Sequence, residues 1–498
     1  MSEKRIDAGE LSERERELIE RVDAKKEELI DLLSQLISID SRTVDPSKYT
    51  NLEEIFMHVK HFMESCGATT QFINCPHDRD DPDKGKPWYN LLGWIGKREG
   101  GHILQFNGHL DVVPFEESKW KDGLHPLKPV IMNDRLYGRG AADMKGGLAS
   151  QMMAFKILAE SDIKMHGCLQ MWFVPDEEIN GDHGAQFMAK EHKEMVNAGG
   201  TIISEPTGQP PVISPAIILG EKGHKWLRFT MHGSSGHGSM PKPKSNAIQK
   251  VTRFISSIKK LKLPKVKPPL TIWNMLKGVL SRFTLRQLIK AARSPGDDEP
   301  DPYNEDGIGI GNFFKTTISF TGIKAGKKVN VIPDTCEFCV DIRVLPGVTT
   351  QDVFDSLARY CTKLGYRLEL PEGYDNIQEG NRKVRDRPVD IELEIISCTN
   401  GTFVEPDRSF TKLLAKAFED VYRVRAVYFF APGSTDAVHM REQGIQDVVV
   451  FGPTGSRTHD SNEYVEIEHL VKTCKVYLLL AYRMLCKDTR NAPDSPSL

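Results

Sequence analysis

Apolar residues recur at helical spacing near the start of the chain, at Leu18, Val22, Leu29, Leu32, Leu33 and Leu36, among many charges. The spacing predicts one long amphipathic helix over Glu10 to Ile39, packed on the body of the protein with its Glu and Lys residues in water. Its front third can also be read as a separate arm, and the pattern does not choose. A second helix is predicted from about Asn51 to Cys66, with Gly67 as its C-cap. QFINC, NLLGWIG and HILQFNGH then alternate strand and turn, and HDRDDPDKGKP between them reads as a solvated surface loop. Residues Lys145 to Glu160 form an apolar helix that opens with two glycines. The apolar strand of LQMWFVPDEEING, a helix from about Gly184 to Val196 and the strand of TIISEPTG follow. Strands alternating with helices across short loops predict an α/β sheet covered on both faces.

The pattern changes after Pro215. HKWLRFTMHGSS, KTTISFTGIK, TCEFCVDIRVLPG and VDIELEII read as alternating strands, and Ala247 to Leu261 and Thr350 to Gly365 as helices. Strands with two helices on one face predict a smaller α+β domain inserted into the first. The expected organisation is residues 1–214 for the first part of the larger domain, 215–400 for the insertion and 401–498 for the second part of the larger domain. Within the insertion, residues 264–312 are an addition to that plan. They hold TIWNMLKGVLSRFTLRQLIKAA, an apolar and basic helix over Thr271 to Ala292, and then the polar SPGDDEPDPYNEDG. The helix reads as an elaboration packed on the insertion, or as a membrane-surface or partner-binding segment.

Composition narrows the function classes. The 498 residues are ample for two domains with full cores. Lys+Arg 66 against Asp+Glu 69 gives no argument for a nucleic-acid or acidic partner. Nine scattered cysteines suit reduced thiols, and the lone C-x-x-C of Cys336 and Cys339 lies among alternating strand residues with no second pair to complete a zinc knuckle. The charged N-terminal stretch has no apolar core of a signal peptide, and no run approaches the roughly 20 apolar residues of a membrane span. A soluble cytoplasmic protein is expected.

Candidate chemistry gathers at predicted strand ends. NGHLDVVP places His109 and Asp111 two apart, on one face of a strand. An imidazole beside a carboxylate can be a metal ligand with the group that sets its tautomer. Asp143 follows in the Gly-rich turn of RLYGRGAADMKGG. Glu177 and Glu178 leave the next strand pointing different ways, so one can bind metal while the other moves protons. Glu205 leaves the strand of TIISEPTG, and His459 follows DVVVFG in THDSNEYV. Polar groups at the ends of buried strands are where open α/β sheets bind ligands.

His109, Asp111, Asp143, Glu177, Glu178, Glu205 and His459, in this order and context, resemble the dinuclear zinc amidohydrolases. That family holds acetylornithine deacetylase, succinyl-diaminopimelate desuccinylase, aminoacylase, carboxypeptidase G and their dipeptidase relatives. The resemblance runs from about Leu29 to about Leu485. It implies a zinc-peptidase-like catalytic domain with a mixed central sheet, and an inserted ferredoxin-like lid and dimerisation domain. By resemblance, His109 and Glu205 hold one zinc, Glu178 and His459 the other, and Asp143 bridges them; Co²⁺ or Mn²⁺ also suits this donor set. Glu177 is implied as general base and Asp111 as the residue that orients His109. His237, in HGSSGHGSMP, is implied as an oxyanion donor to a partner subunit's site, hence a homodimer. Asn330 and Arg343 match positions that hold a substrate carboxylate, and Gly433, in APGSTDA, a backbone contact near substrate. The addition at 264–312 is similar to one in carboxypeptidase S and the secreted N-acyl amino acid hydrolases.

The implied activity is metal-dependent hydrolysis of the amide of an N-acyl amino acid or similar small carboxylate. Glu205, where aminopeptidase relatives carry Asp, resembles the deacylase and carboxypeptidase branches. A dipeptidase or carboxypeptidase using the same site is the first alternative, and a non-catalytic metal-binding dimer the second.

Overall fold

The computed structural model describes residues 6, 9–43, 52–76, 88–99, 102–208, 215–241, 245–258, 261–264 and 315–486. The polar loop His77–Pro87 and the addition, beyond Pro264, fall outside them. No helix among the described residues is long and apolar enough to cross a membrane.

Nine strands form a large mixed sheet. In spatial order they are Thr69–Cys75, Trp88–Gly96, Cys168–Val174, Ile103–His109, Gly200–Ile203, Val448–Val450, Ile217–Glu221 and Thr402–Phe403, with Tyr428–Ala431 also paired to Ile217–Glu221. Cys168–Val174, Ile103–His109, Gly200–Ile203 and Val448–Val450 are neighbours and all parallel. Their carboxyl ends therefore open on one edge, where an α/β sheet binds its ligands. Every residue of Cys168–Val174 is buried, which explains its unbroken apolar run. The helix Lys145–Ala159, buried except at Lys156 and Ala159, packs against the sheet and against the helix Ile467–Leu485, which also meets the sheet.

Two helices replace the single one expected near the start. Glu13–Ala24 opens with a capping box between Ser12 and Glu15, and the chain breaks at Lys25 before Lys26–Ser38. The front is docked and is not a free arm: Arg483 Nε donates to Glu15 Oε1 at 2.8 Å, and its Nη2 reaches Asp420 Oδ2 at 2.7 Å. The helix expected over 184–196 is also divided, into Asp182–Gln186, Phe187–Glu191 and Lys193–Val196. Its first turn is tied to the preceding strand end, because Asp176 Oδ2 accepts from His183 N at 2.7 Å and lies 3.0 Å from His183 Nδ1.

A second, five-stranded sheet follows the order Thr317–Ala325, Thr335–Val344, Gly223–His232, Ile391–Cys398 and Leu368–Glu369. Its pairings are antiparallel except that of the short Leu368–Glu369. Burial alternates along Thr335–Val344, as a sheet covered on one face requires. The helices Ala247–Ser256 and Thr350–Leu364 supply that cover, closing Val251, Phe254, Phe354 and Leu357 over Leu227, Phe229 and Phe338 in a core of its own.

The chain passes between the sheets twice, at adjacent points. Only Lys222 separates Ile217–Glu221 from Gly223–His232, and Thr399, Asn400 and Gly401 link Cys398 back to Thr402. A Cβ on Gly223 would sit 2.2 Å from Thr399 O, so the two crossings touch backbone to backbone. His224, 4% exposed, lies beside them. Its imidazole is pushed down to about 3, first by burial and then by Arg343.

Unfolded histidine titrates near 6.5, so between there and about 3 the unfolded chain binds a proton at this position that the folded chain does not. The contribution is full above the unfolded value and is lost as pH falls. His224→Gln is expected to lose stability with acid less steeply than the wild type, by roughly 1.4 kcal/mol per pH unit between about pH 6 and 4. Denaturant unfolding across that range checks it; parallel profiles would contradict it.

Candidate metal centre

Four parallel strands deliver most of the predicted residues to one edge. His109 ends its own strand, Glu177 and Glu178 form a tight turn after Val174, Glu205 follows Ile203, and His459 lies in the loop after Val450. Asp143 comes from the turn before the helix Lys145–Ala159. That helix can begin beside Glu205 because Gly147 lacks a side chain: a Cβ there would sit 2.0 Å from Ser204 O.

Two triads result, His109–Asp143–Glu205 and Asp143–Glu178–His459, each with ligand atoms within 4.8 Å of one another. Asp143 serves both, one oxygen to each. Its Oδ1 lies 3.1 Å from His109 Nε2 and its Oδ2 lies 3.2 Å from His459 Nε2. Glu205 Oε1 stands 3.3 Å from His109 Nε2, and Glu178 Oε2 stands 2.9 Å from His459 Nε2.

The electrostatics fit a site for divalent cations. Glu205 is pushed up to about 8 and Glu178 to about 7, in each case first by burial and then by the charge of Asp143. Glu177 is raised well above the ordinary carboxylate range by burial and then by Glu205. The histidines move the complementary way. His459 is pushed up to about 10 by hydrogen bonding to Asp143 and Glu178. Burial opposes the charge on His109, but the Glu205 charge and hydrogen bonds to Asp111, Asp143 and Glu205 outweigh it and hold the ring well above its usual value. Crowded carboxylates and imidazoles of this kind are the donor set of zinc-type sites, where a cation takes the place of those protons.

Two buried carboxylates behind the cluster hold its backbone. Asp111 Oδ1 accepts from Glu177 N at 3.2 Å; its Oδ2 accepts from Glu178 N at 3.1 Å and from Thr43 Oγ1 at 2.9 Å. Asp111 also reaches His109, whose Nδ1 lies 2.8 Å from the Asp111 carbonyl oxygen and 3.4 Å from its Oδ1. Glu463 was not anticipated from the sequence. Its Oε2 accepts from Arg139 Nη1 at 2.6 Å and Gly140 N at 2.9 Å, and its Oε1 from Ala142 N and Asp143 N, both at 2.9 Å. One side chain thus ties the Asp143 turn to the loop of His459. In that loop Arg457, His459 and Asn462 all have left-handed backbones, with φ of 62°, 63° and 61°. Such strain in non-glycine residues persists only where neighbours over-determine the backbone. The signal available in the sequence was a single glutamate in HDSNEY.

The remaining candidates lie elsewhere. His237 is exposed, with Nδ1 2.7 Å from Ser239 Oγ, and the next residue, Gly238, donates its N–H to Asn330 O at 2.8 Å. Arg343 forks onto Asp341, with Nε 2.9 Å from Oδ1 and Nη2 3.1 Å from Oδ2, and lies 5.9 Å from the centre of the Trp226 ring. Gly433 stands in a loop where nothing lies within 4 Å of an added Cβ. The next residue, Ser434, donates to Lys222 O at 3.0 Å, at the first crossing.

Comparison with known proteins agrees with the geometry. The family model described as Peptidase family M20/M25/M40 matches residues 105–483. An uncharacterised metallohydrolase of Methanocaldococcus jannaschii is 24% identical over 91% of this chain and 98% of its own. An acetylornithine deacetylase of Aliivibrio fischeri is 29% identical over 68% of this chain and 73% of its own. The solved di-peptidase Dug1p of Saccharomyces cerevisiae shares the fold, with a TM-score of 0.72 and 16% identity over 97% of this chain and all of that one (100%).

In Glu463→Gln the side-chain NH₂ must face backbone N–H groups that a carboxylate oxygen now accepts. Divalent-cation affinity is expected to fall by about 10- to 100-fold, measured by competition with a chromophoric chelator. Asp111→Asn sets the same conflict against Glu177 N and Glu178 N and is expected to weaken binding comparably. Unchanged affinity in either variant would show that these contacts do not shape the site.

Proposed function

The chain belongs to peptidase family M20/M25/M40, and on that premise we propose that it is a dinuclear zinc hydrolase that cleaves the amide of an N-acyl amino acid or a related small carboxylate. The observation that carries the reading is the shared Asp143 between two triads, with Glu177 spare beside them. His109 and Glu205 would hold one Zn²⁺, Glu178 and His459 the other, and Asp143 both; two imidazoles and three carboxylates are donors that zinc accepts. Bound there, the cations would supply polarisation of a carbonyl and acidification of water near neutral pH.

The protein's own groups do the rest. Glu177 adjoins a ligand but belongs to neither triad. Its raised affinity for a proton suits a carboxylate that takes one from the attacking water and returns it to the leaving nitrogen. Asp111 holds Glu177 and Glu178 by their backbones, so the two carboxylates keep their division of labour. Arg343 offers the planar fork that suits a substrate carboxylate. Its present partner, Asp341, is a side chain of the same strand that a substrate could displace. His237 and Asn330 lie together, joined through Gly238, so both would reach substrate from one place, across a homodimer interface, while Arg343 stands at the other end of the strand Thr335–Val344. Gly433 leaves open space for backbone contact. All nine cysteines are unpaired, in keeping with a cytoplasmic enzyme.

A dipeptidase or carboxypeptidase would use the same groups. The deacylase reading is preferred because the acetylornithine deacetylase relative is the nearer in sequence, while the di-peptidase shares the fold at 16% identity.

The test is free-amine release by the zinc-loaded protein from N-acetyl, N-succinyl and long-chain N-acyl amino acids and from unblocked dipeptides. Release confined to acylated substrates is expected; release from dipeptides alone would replace the deacylase reading. Glu177→Ala is expected to keep its zinc and lose turnover by about 10²- to 10⁴-fold. Near-wild-type turnover in that variant would remove Glu177 from its role.

A further inference from the structure

The turn that carries Glu177 and Glu178 is gripped from three directions. Asp111 takes both of their N–H groups. At the far end of the turn Asn180 has a left-handed backbone, φ 102°, and its carbonyl oxygen lies 2.9 Å from His439 Nε2. A non-glycine residue in such a conformation needs its surroundings to hold it. The third grip comes from the other sheet: Ser397, on the strand Ile391–Cys398, donates to Asn180 Oδ1 at 3.0 Å.

Hydrogen-bond accounting extends this contact to the crossings. The Asn180 amide has one orientation, because its Nδ2 donates to Asp182 Oδ1 at 3.0 Å. Its Oδ1 can only accept, so the single hydroxyl proton of Ser397 is spent there. Ser397 Oγ must then accept from His224 Nε2, 2.8 Å away. His224 therefore carries its proton on Nε2. Its Nδ1 accepts from Thr399 Oγ1 at 3.1 Å and lies 3.3 Å from Ser434 Oγ, whose proton goes to Lys222 O, and Thr399 Oγ1 accepts from His224 N at 3.2 Å. Thr399 and His224 flank the point where the two crossings touch. One directional chain of hydrogen bonds thus runs from the junction of the sheets to the catalytic turn.

We propose that Thr399, His224, Ser397 and Asn180 form a positioning chain through which the orientation of the five-stranded sheet sets the geometry of the turn bearing Glu177 and Glu178. Rotation about the adjacent crossings moves Ser397 relative to Asn180, so the bond is made in one orientation and lost in another. None of the four belongs to either triad; they act through the turn. The inference rests on the hydrolase reading of the site and adds a dependence of catalysis on how the second sheet is placed.

Ser397→Ala removes the link at a half-buried position, and Ser397→Thr keeps a hydroxyl on a strand that tolerates β-branching. The full-length, zinc-loaded wild type and both variants are compared by amide hydrogen exchange over residues 176–186 and by steady-state kinetics on an acyl amino acid that the wild type hydrolyses. Asn180 N and Gly181 N, which donate to Glu177 O at 3.1 Å and Asp176 O at 2.8 Å, report the turn. In Ser397→Ala these amides are expected to exchange about tenfold faster, as loss of one net hydrogen bond implies, with Cys168–Val174 unchanged. kcat is expected to fall about tenfold at constant KM and constant zinc content, the mark of an interaction that matters in the transition state, and Ser397→Thr is expected to recover both. Unchanged exchange over 176–186 overturns the proposal whatever the activity. Faster exchange across the whole large sheet, or faster local exchange with unchanged kcat, also overturns it. A wild type that hydrolyses none of the panel, with faster local exchange in Ser397→Ala, sinks the hydrolase reading and leaves the mechanical link in place.

Discussion

Like charges held close together are the constraint on which this structure turns. Two unit charges 4 Å apart repel by about 4 kcal/mol at an effective dielectric near 20, and here Asp143, Glu178 and Glu205 crowd into one buried pocket with Glu177 beside them. No local segment of chain holds such a group unaided. The fold answers with four parallel strands whose ends supply rigid anchor points, and with backbone N–H groups turned toward the supporting carboxylates of Asp111 and Glu463. Those two residues separate the work of positioning from the work of ligation. Neither joins a triad, yet between them they fix the backbone at Glu177, Glu178 and Asp143.

Much of this was legible in the sequence because the chemistry sits where patterning is strongest. Buried parallel strands leave unbroken apolar runs, and the polar residue that ends each run is conspicuous; His109, Glu177, Glu178 and Glu205 were visible for that reason. The α/β sheet followed from strands alternating with helices before Pro215 and the separate α+β sheet from the change in alternation after it, while the mixed character of the first sheet came from the family resemblance. What was not legible depends on contacts remote in sequence. Glu463 is an ordinary surface-type residue until the turn at Asp143, 320 residues away, presents its N–H groups. Ser397 and Asn180 carry no pattern at all. Helix breaks were missed for a related reason: apolar spacing continues in phase through Lys25, and the tie between His183 and Asp176 that reshapes the next helix is a side-chain event.

The two sheets have separate cores, and they share a junction where backbones touch. A larger residue than glycine at position 223 could not be accommodated there, so the junction is narrow and its motion is confined to a few torsions. Loops that face the cluster are fastened to the same place. Ser434 holds the Gly433 loop to Lys222, and Thr435 donates to both oxygens of Glu221, at 2.9 Å through N and 2.7 Å through Oγ1. The rim of the site and the second sheet therefore answer to one set of backbone positions.

The placement of the strand Val448–Val450 has a consequence in time. It inserts between Gly200–Ile203 and Ile217–Glu221, although the whole of the second sheet separates it from both in the chain. Synthesis at about 5–20 residues per second leaves an interval of tens of seconds in which His109, Asp143, Glu178 and Glu205 exist without His459 or Glu463. Throughout it the strand Gly200–Ile203 presents an unpaired edge, the feature that invites association with other chains. The second triad can close only when the sheet itself closes. A cation seated in both triads thus reports that the strand Val448–Val450 has taken its place, and the centre that defines the enzyme's chemistry also records the closing of its large sheet.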